Sequence, residues 1–479
     1  MTASPLPATA ATSLPATAAP RVVIVGGGFS GAAVALHLAR RAPGRAAVTI
    51  VEPRAEIGRG VAYDAIEPQH RLNVPDYRME VFADDPEQFR RWFAASPLAQ
   101  EDPGARDAVG NFWPSRRAFG SYVNELVAAL RPKIAHVRAR ATAIVRVGRG
   151  YAVSCDDGRL LAADLVVLAV CHPPPAPPRG LATLAGDPRL IADPWAPMAF
   201  ATVAPDERIL IVGTGLTMAD VVASLAQRGH RGAVTAISRR GQRSHTYADR
   251  PVEPFGDFAT APSRTALALL RRVRATVAEA AAAGEPWQGV LDQVRLQGRT
   301  IWQALPPPER LRLLRHLRPF WDTHRFRIAP QVKAAVDGAI AAGRMTVRAA
   351  GVVSAKATAD GIEVVLKLRG RAQQRITVDR VVLANGPAHD GIFAMPLLAQ
   401  LRATGLAHPD AYGLGIAVDG RSRVLDDAGA AQPRLFVAGP LARGTFGELM
   451  GVPDLSPHAD GVATAIAAEL GLVSAAGAG

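Results

Sequence analysis

Two stretches of the chain are apolar at every position, and each runs into a glycine-rich turn. Val22-Val23-Ile24-Val25 leads into Gly26-Gly27-Gly28-Phe29-Ser30-Gly31, and Ile209-Leu210-Ile211-Val212 leads into Gly213-Thr214-Gly215-Leu216-Thr217-Met218. Short, unbroken apolar runs bounded by glycine predict parallel strands covered on both faces. An alanine-rich stretch follows each turn and predicts a helix. A second apolar strand then follows, Val48-Thr49-Ile50-Val51 in one case and Val234-Thr235-Ala236-Ile237 in the other. The pattern continues in parallel: alternating residues at 134–163 and 345–378 predict small β-meanders. Each meander is followed by a buried strand that starts on aspartate, Asp164-Leu165-Val166-Val167-Leu168-Ala169-Val170 and Asp379-Arg380-Val381-Val382-Leu383-Ala384.

This repeat of domain size predicts an α/β fold of two nested Rossmann-like dinucleotide-binding domains with β-meanders and a helical insertion. The expected boundaries are a disordered tail over 1–20, a first domain formed by 21–200 and 391–475, and a second over 205–390. The prolines at 173–178 mark the crossing between them. Helices are predicted at 86–94 and 116–130 in the first half. The insertion, about 262–340, is predicted as helices at 267–282, 287–305, 308–317 and 332–342, with Trp287, Trp302 and Trp321 packing them together. Near the C-terminus Arg434-Leu435-Phe436-Val437-Ala438-Gly439-Pro440 reads as a strand and turn. A last helix is expected to start at Ser456-Pro457, with serine capping and proline at the first helical position.

Composition narrows the classes. The chain has 479 residues, 49% hydrophobic and 20% charged, ordinary for a globular enzyme of two or three domains. The net charge of +13 is carried mostly by arginine, without a basic run interleaved with aromatics, so nucleic acid is not an expected partner. No run of 18 apolar residues occurs, and residues 1–20 lack the basic start and apolar centre of a signal peptide; no membrane partner and a cytoplasmic location are expected. Cys155 and Cys171 fall in strand-like runs with no C-x-x-C spacing, which predicts free core cysteines and neither zinc nor any other metal.

The chemistry lies in the turns. Gly26 and Gly213 permit the tight bend, Gly28 and Gly215 let a pyrophosphate approach the backbone, and the helix N-terminus behind offers N–H groups and a positive dipole. Gly31 is the third glycine of the first motif. Met218 takes that slot in the second, with Ala219 beside it as the small residue for close packing. Glu52, at the tip of the second strand, suits the ribose hydroxyls of an adenosine. The same offset in the second repeat lands on Arg239, followed by Arg240, and guanidinium groups suit a 2′-phosphate. The first site therefore reads as FAD and the second as NADPH, with Ser30 and Thr217 in the first turns of the two helices as further contacts.

Residues 26–31, 58–63, 72–75, 213–220, 320–325, 385–387 and 439–448 together resemble the bacterial FAD/NAD(P)-binding flavoproteins related to the N-hydroxylating monooxygenases of the ornithine and lysine type. The resemblance covers nearly the whole chain from Arg21. It implies an oxidoreductase in which NADPH reduces FAD, and O2 then gives a C4a-hydroperoxyflavin that oxygenates a small amine or other soft nucleophile. The D-x-x-x-L/F-A-T-G segment of those enzymes is matched from Asp379 to Gly386 with Asn385 in place of threonine. Their C-terminal Gly-Asp is here Gly439-Pro440. Asn385, Gly386, Gly439, Pro440 and Arg116 are thereby expected at the cofactors, and Asn73, His324 and Arg325 at the substrate, as groups for proton handling or carboxylate binding. The alternatives are an NAD(P)H-dependent flavin reductase or dehydrogenase without oxygen insertion, and a non-enzymatic nucleotide-binding redox sensor.

Overall fold

The computed structural model describes residues 19–131, 133–370, 372–386 and 389–472. All but residues 19 and 20 of the expected tail lie outside these, as does Pro387. Two mainly parallel sheets carry the architecture. The first has the strand order Arg423–Leu425, Ala431–Val437, Leu165–Leu168, Arg21–Val25, Ala47–Val51 and Ile134–Val137. Only its outermost strand, Arg423–Leu425, runs antiparallel to its neighbour. The second has the order Gln373–Val378, Gly361–Leu368, Met345–Thr358, Val234–Ser238, Ile209–Val212, Arg380–Leu383 and Leu190–Ile191.

The central strands are the two apolar runs of the sequence. Val22, Val23, Ile24, Leu210 and Ile211 are buried, so each strand needs cover on both faces. Helix Phe29–Arg41 supplies it on one face of the first sheet and is itself packed against helix Val452–Glu469. Helix Leu216–Gln227 does the same in the second, backed by helix Pro330–Ala341.

The meanders depart from expectation in the same way in both halves. Ile134–Val137 pairs parallel with Ala47–Val51, and only Ala141–Val147, Gly150–Cys155 and Leu160–Ala163 form a separate antiparallel sheet. The start of Met345–Thr358 likewise pairs parallel with Val234–Ser238 before its remainder turns antiparallel against Gly361–Leu368. Alternation marks a strand with one covered face. It does not say whether its partner runs parallel or antiparallel.

The insertion is helical: Ala266–Ala282, Trp287–Leu296, Gly298–Ala304, Pro307–His316, Arg318–Arg325 and Pro330–Ala341. Thr265 caps the first of these by accepting from the Ala268 N–H at 3.1 Å. The expected 287–305 helix breaks at Gln297-Gly298. Trp302 is buried, yet it reaches out of the insertion, donating from Nε1 to the Gly444 carbonyl at 2.9 Å.

The last helix begins at Val452, not at Ser456. Gly451 is its N-cap, Pro453 lies in its first turn, and Pro457 sits inside it. Ser456 is one turn in, and its hydroxyl donates to the Val81 carbonyl at 2.6 Å. Cys155 is buried as expected, whereas Cys171 is exposed, because the strand ends at Leu168.

Candidate functional site

Each glycine turn sits at the C-terminal end of a central strand with a parallel neighbour on either side. Arg21–Val25 lies between Ala47–Val51 and Leu165–Leu168, and Ile209–Val212 between Val234–Ser238 and Arg380–Leu383. The chain leaves such a strand toward one neighbour and returns from elsewhere for the other, which opens a crevice at the turn. Gly26 and Gly213 adopt φ of +104° and +122°, and a Cβ there would lie 2.4 Å from the Ala169 carbonyl oxygen and 2.0 Å from that of Ala384. Only glycine permits these bends.

Both helices begin one residue after the second glycine, with no side-chain cap and no acidic residue in the first turn. Met218 does not disturb this register. Its side chain is buried in the core that includes Val332 and Val336 of the backing helix. Gly31, its counterpart, could carry no side chain, since a Cβ would lie 2.0 Å from the Gly26 carbonyl oxygen.

The two turns open on one cleft of ≈ 3290 Å³, lined by Gly26, Gly28, Ser30 and Glu52 on one side and Gly213, Gly215, Thr217, Arg239 and Arg240 on the other. Asn385, Gly386 and Pro440 also line it, and Gly439 lies just behind, so close to Ser30 that a Cβ would approach its Oγ to 2.4 Å. The Asn385 amide donates to the Ala176 carbonyl at 2.9 Å, which joins the two chain crossings side by side. The strand-tip residues are held differently. Glu52 is buried, accepting from the Gly27 N–H at 2.8 Å and the Arg54 N–H at 3.0 Å. Arg239 and Arg240 are exposed, and Arg240 lies over the Phe320 ring at 4.9 Å.

The substrate-side residues separate. Asn73 lines the cleft, with its carbonyl accepting from Tyr247 Oη at 2.9 Å. Arg325 also lines it, buried, with its guanidinium 2.9 Å from Asp454 and 3.6 Å from Glu448. His324 is not brought to the cleft. Its ring lies 4.4 Å from that of His245 and 5.0 Å from that of Trp287, with Nδ1 on the Phe320 carbonyl. Arg116 lines the cleft, but its guanidinium is bound to Asp220 at 2.9 Å and lies 5.1 Å from the Trp195 ring.

The carboxylates on the cleft wall are Glu52, Asp193 and Asp322, amid many arginines. Sequence reasoning passed over Asp322. Burial pushes its carboxyl up to about 6, against the pull of Arg318, whose Nε is 3.4 Å away. The Asp220–Arg116 pair was also missed. Its only sequence signal is a carboxylate in the alanine-rich helix behind the second turn, where an apolar residue would be expected.

Residues 23–173 match the family described as FAD-NAD(P)-binding. No curated protein sequence matches the chain. Among solved structures, the chain is similar to ornithine hydroxylase from Pseudomonas aeruginosa, at 18% identity and a TM-score of 0.65 over 94% of this chain and 99% of that one. L-lysine 6-monooxygenase from Pseudomonas syringae gives 20% identity and 0.64 over 94% and 99%. The ornithine N-hydroxylase from Kutzneria sp. 744 gives 19% identity and 0.61 over 93% and 98%. The chain thus matches the FAD-NAD(P)-binding family over 23–173 and has the fold of the ornithine and lysine monooxygenases.

Proposed function

We propose that this protein is an FAD-dependent, NADPH-using monooxygenase acting on a small amine or other soft nucleophile. One observation carries the reading: two uncapped glycine turns open on a single cleft, with a buried carboxylate at one strand tip and exposed arginines at the other. The residues fit both nucleotides. A Cβ at Gly28 would meet only Gly60, at 3.4 Å, and one at Gly215 nothing within 4 Å, so both backbones stand open to a pyrophosphate. The Kutzneria ornithine N-hydroxylase, solved with reduced FAD, NADP+ and L-ornithine, has the same fold at low identity.

In this reading residues 21–200 with 391–475 hold FAD, and 205–390 hold NADPH. Gly26, Gly28, Ser30 and Gly31 receive the FAD pyrophosphate, and Glu52 the adenosine ribose. Gly213, Gly215 and Thr217 receive that of NADPH, and Arg239 with Arg240 its 2′-phosphate. When bound, the flavin accepts hydride and activates dioxygen.

The chain's own part is placement and proton handling. Arg325 is fixed by Asp454 and Glu448 on the substrate side. Asp322 is the carboxyl on the cleft wall placed to exchange a proton, 3.4 Å from Arg318 Nε and raised to about 6 by desolvation. It takes the role first expected of His324.

Stopped-flow absorbance of the NADPH-reduced protein mixed with oxygenated buffer tests the reading. A transient spectrum distinct from both reduced and oxidised flavin supports a monooxygenase. Direct return to oxidised flavin with stoichiometric peroxide would instead assign a reductase or dehydrogenase. A flavin that NADPH does not bleach would assign a redox sensor.

A further inference from the structure

Helix Leu216–Gln227, behind the second glycine turn, presents one polar stripe to the first half of the chain. Asp220, Ser224, Gln227 and Arg228 follow at helical spacing of four, three and one. Three of them meet residues of the first half: Asp220 binds Arg116 at 2.9 Å, Gln227 accepts from Gln69 at 3.4 Å, and Arg228 binds Glu67 at 2.5 Å. The Asp220–Arg116 pair is the buried one, with side chains 5% and 10% exposed.

Arg116 is held at several points, although its buried Nε has no hydrogen-bond partner among the described residues. It opens helix Arg116–Ala128 behind the Ser115 cap, its N–H donates to the His70 carbonyl at 2.8 Å, and its guanidinium lies over Trp195. The rest of this seam is loosely bonded: the two ring nitrogens of His70 and the Ser224 hydroxyl are buried without a hydrogen-bond partner among the described residues. An aromatic contact joins the halves elsewhere. Trp113 belongs to the second hydrophobic core, and its ring lies 5.0 Å from that of Tyr247, whose hydroxyl donates to Asn73.

We propose that Arg116 and Asp220 are positioning residues, a charged pin that sets how the nicotinamide half docks on the flavin half and so where hydride is delivered. The aromatic contact, with the Trp302–Gly444 and Arg325–Asp454 contacts of the insertion, keeps the halves together, and the pin fixes their angle at the nucleotide end. The pin lies at the nucleotide end, with Arg116 on the cleft wall and Asp220 one turn behind Gly215. Hydride transfer depends steeply on the separation of two cofactors held by different halves, whereas the reaction of reduced flavin with oxygen depends on one half alone. Loss of the pin therefore separates the two half-reactions.

The kinetic arm of the test rests on the cofactor assignment above; the exchange arm does not. In Asp220→Asn, anaerobic flavin reduction at saturating NADPH is expected to slow by about 10²-fold, the scale of a 1 Å misplacement. Flavin content and reoxidation of the dithionite-reduced protein stay as in the wild type, and Asp220→Glu recovers part of the rate. Backbone hydrogen exchange of the full chain, read by mass spectrometry without nicotinamide nucleotide, is expected to rise over 64–75 and 192–200 and stay unchanged in the two sheets.

Should Asp220→Asn fail to fold, Arg116→Met with Asp220→Leu removes both charges together, which a protein interior tolerates far better than one orphaned charge. That double variant is expected to fold, reduce slowly and show the same rise in exchange over 64–75. Unchanged reduction, equal slowing of both half-reactions, or unchanged exchange over 64–75 would each overturn the pin. If NADPH fails to reduce even the wild type, the cofactor assignment falls and the exchange result alone decides the pin.

Discussion

Replacing Gly215 by valine separates the nucleotide from the fold. The backbone there is extended, with φ −89° and ψ −152°, which valine adopts without strain, and a Cβ meets nothing within 4 Å. The cost to the free protein is that of a poorer N-cap, about 1 kcal/mol, a shift of about 1 °C in Tm for a chain of this length. The added methyl groups stand where a pyrophosphate would lie against the uncapped helix N-terminus. Displacing that group loses charge-assisted hydrogen bonds worth about 2–4 kcal/mol in sum, or roughly 30- to 700-fold in dissociation constant. NADPH and NADH should weaken alike, since both carry the pyrophosphate. The assay is anaerobic flavin reduction over a range of each nucleotide, with Tm and flavin content on the same samples. Gly213→Ala is the contrast: its Cβ would stand 2.0 Å from the Ala384 carbonyl oxygen, so the turn itself breaks and Tm falls with binding. A Gly215→Val protein that folds, keeps its flavin and binds both nucleotides as before would refute the assignment of this turn.

Arg239→Ala should raise the Michaelis constant for NADPH far more than for NADH, and equal effects would remove the 2′-phosphate from that strand tip. Gly28→Val should give a folded but colourless protein, because the side chain fills the approach to the first turn; recovery of yellow protein would count against that site. Burial, with the Arg116 charge adding to it, pushes the His70 imidazole down to about 3, so it stays neutral in the folded protein while the unfolded chain takes up a proton below its ordinary value of about 6.5. Stability is therefore intact above that value and lost as pH falls, by about 2 kcal/mol at pH 5 from this residue. His70→Leu should reduce the drop in unfolding free energy between pH 7 and pH 5, read by urea titration, by that amount, and an unaltered drop would show that His70 is not buried neutral.

The features that repeat were legible in the sequence, and the features that depend on a neighbour were not. Both glycine turns, both second strands and the opposite charges of Glu52 and Arg239 follow from local pattern, because a tight bend and a phosphate cradle need particular residues at fixed spacing. Whether Ile134–Val137 pairs parallel or antiparallel depends on which edge is free, and alternation is the same for both. The start of the last helix moved from Ser456 to Val452 because the Gly451 backbone is extended and the Ser456 hydroxyl is bonded to Val81, a contact across 375 residues. His324 and Arg325 are adjacent, yet the His324 ring is taken up by His245 and Trp287, both distant in the sequence, while Arg325 lines the cleft. The Arg116–Asp220 pair joins two halves whose facing surfaces no local pattern reveals.

The two strand tips also differ in how much order binding must create. Glu52 is already fixed: its carboxylate is 4% exposed and held by the Gly27 and Arg54 N–H groups, so a ribose meets an acceptor that loses little freedom. Arg239 is exposed, and a phosphate must immobilise a long side chain, at a cost of about 0.5–1.5 kcal/mol for each such residue. A preorganised site suits a cofactor that stays, and an unordered one suits a cosubstrate that leaves after each turnover. The expected outcome is that flavin survives gel filtration of the purified protein at near-equimolar ratio while NADP(H) is washed away. Glu52→Ala should then lower flavin retention by about 1–3 kcal/mol, because it loses a charge-assisted contact. Absorbance of the protein and chromatography of nucleotides released on denaturation read both. Retained NADP(H) with flavin washed out would reverse the assignment of the two strand tips.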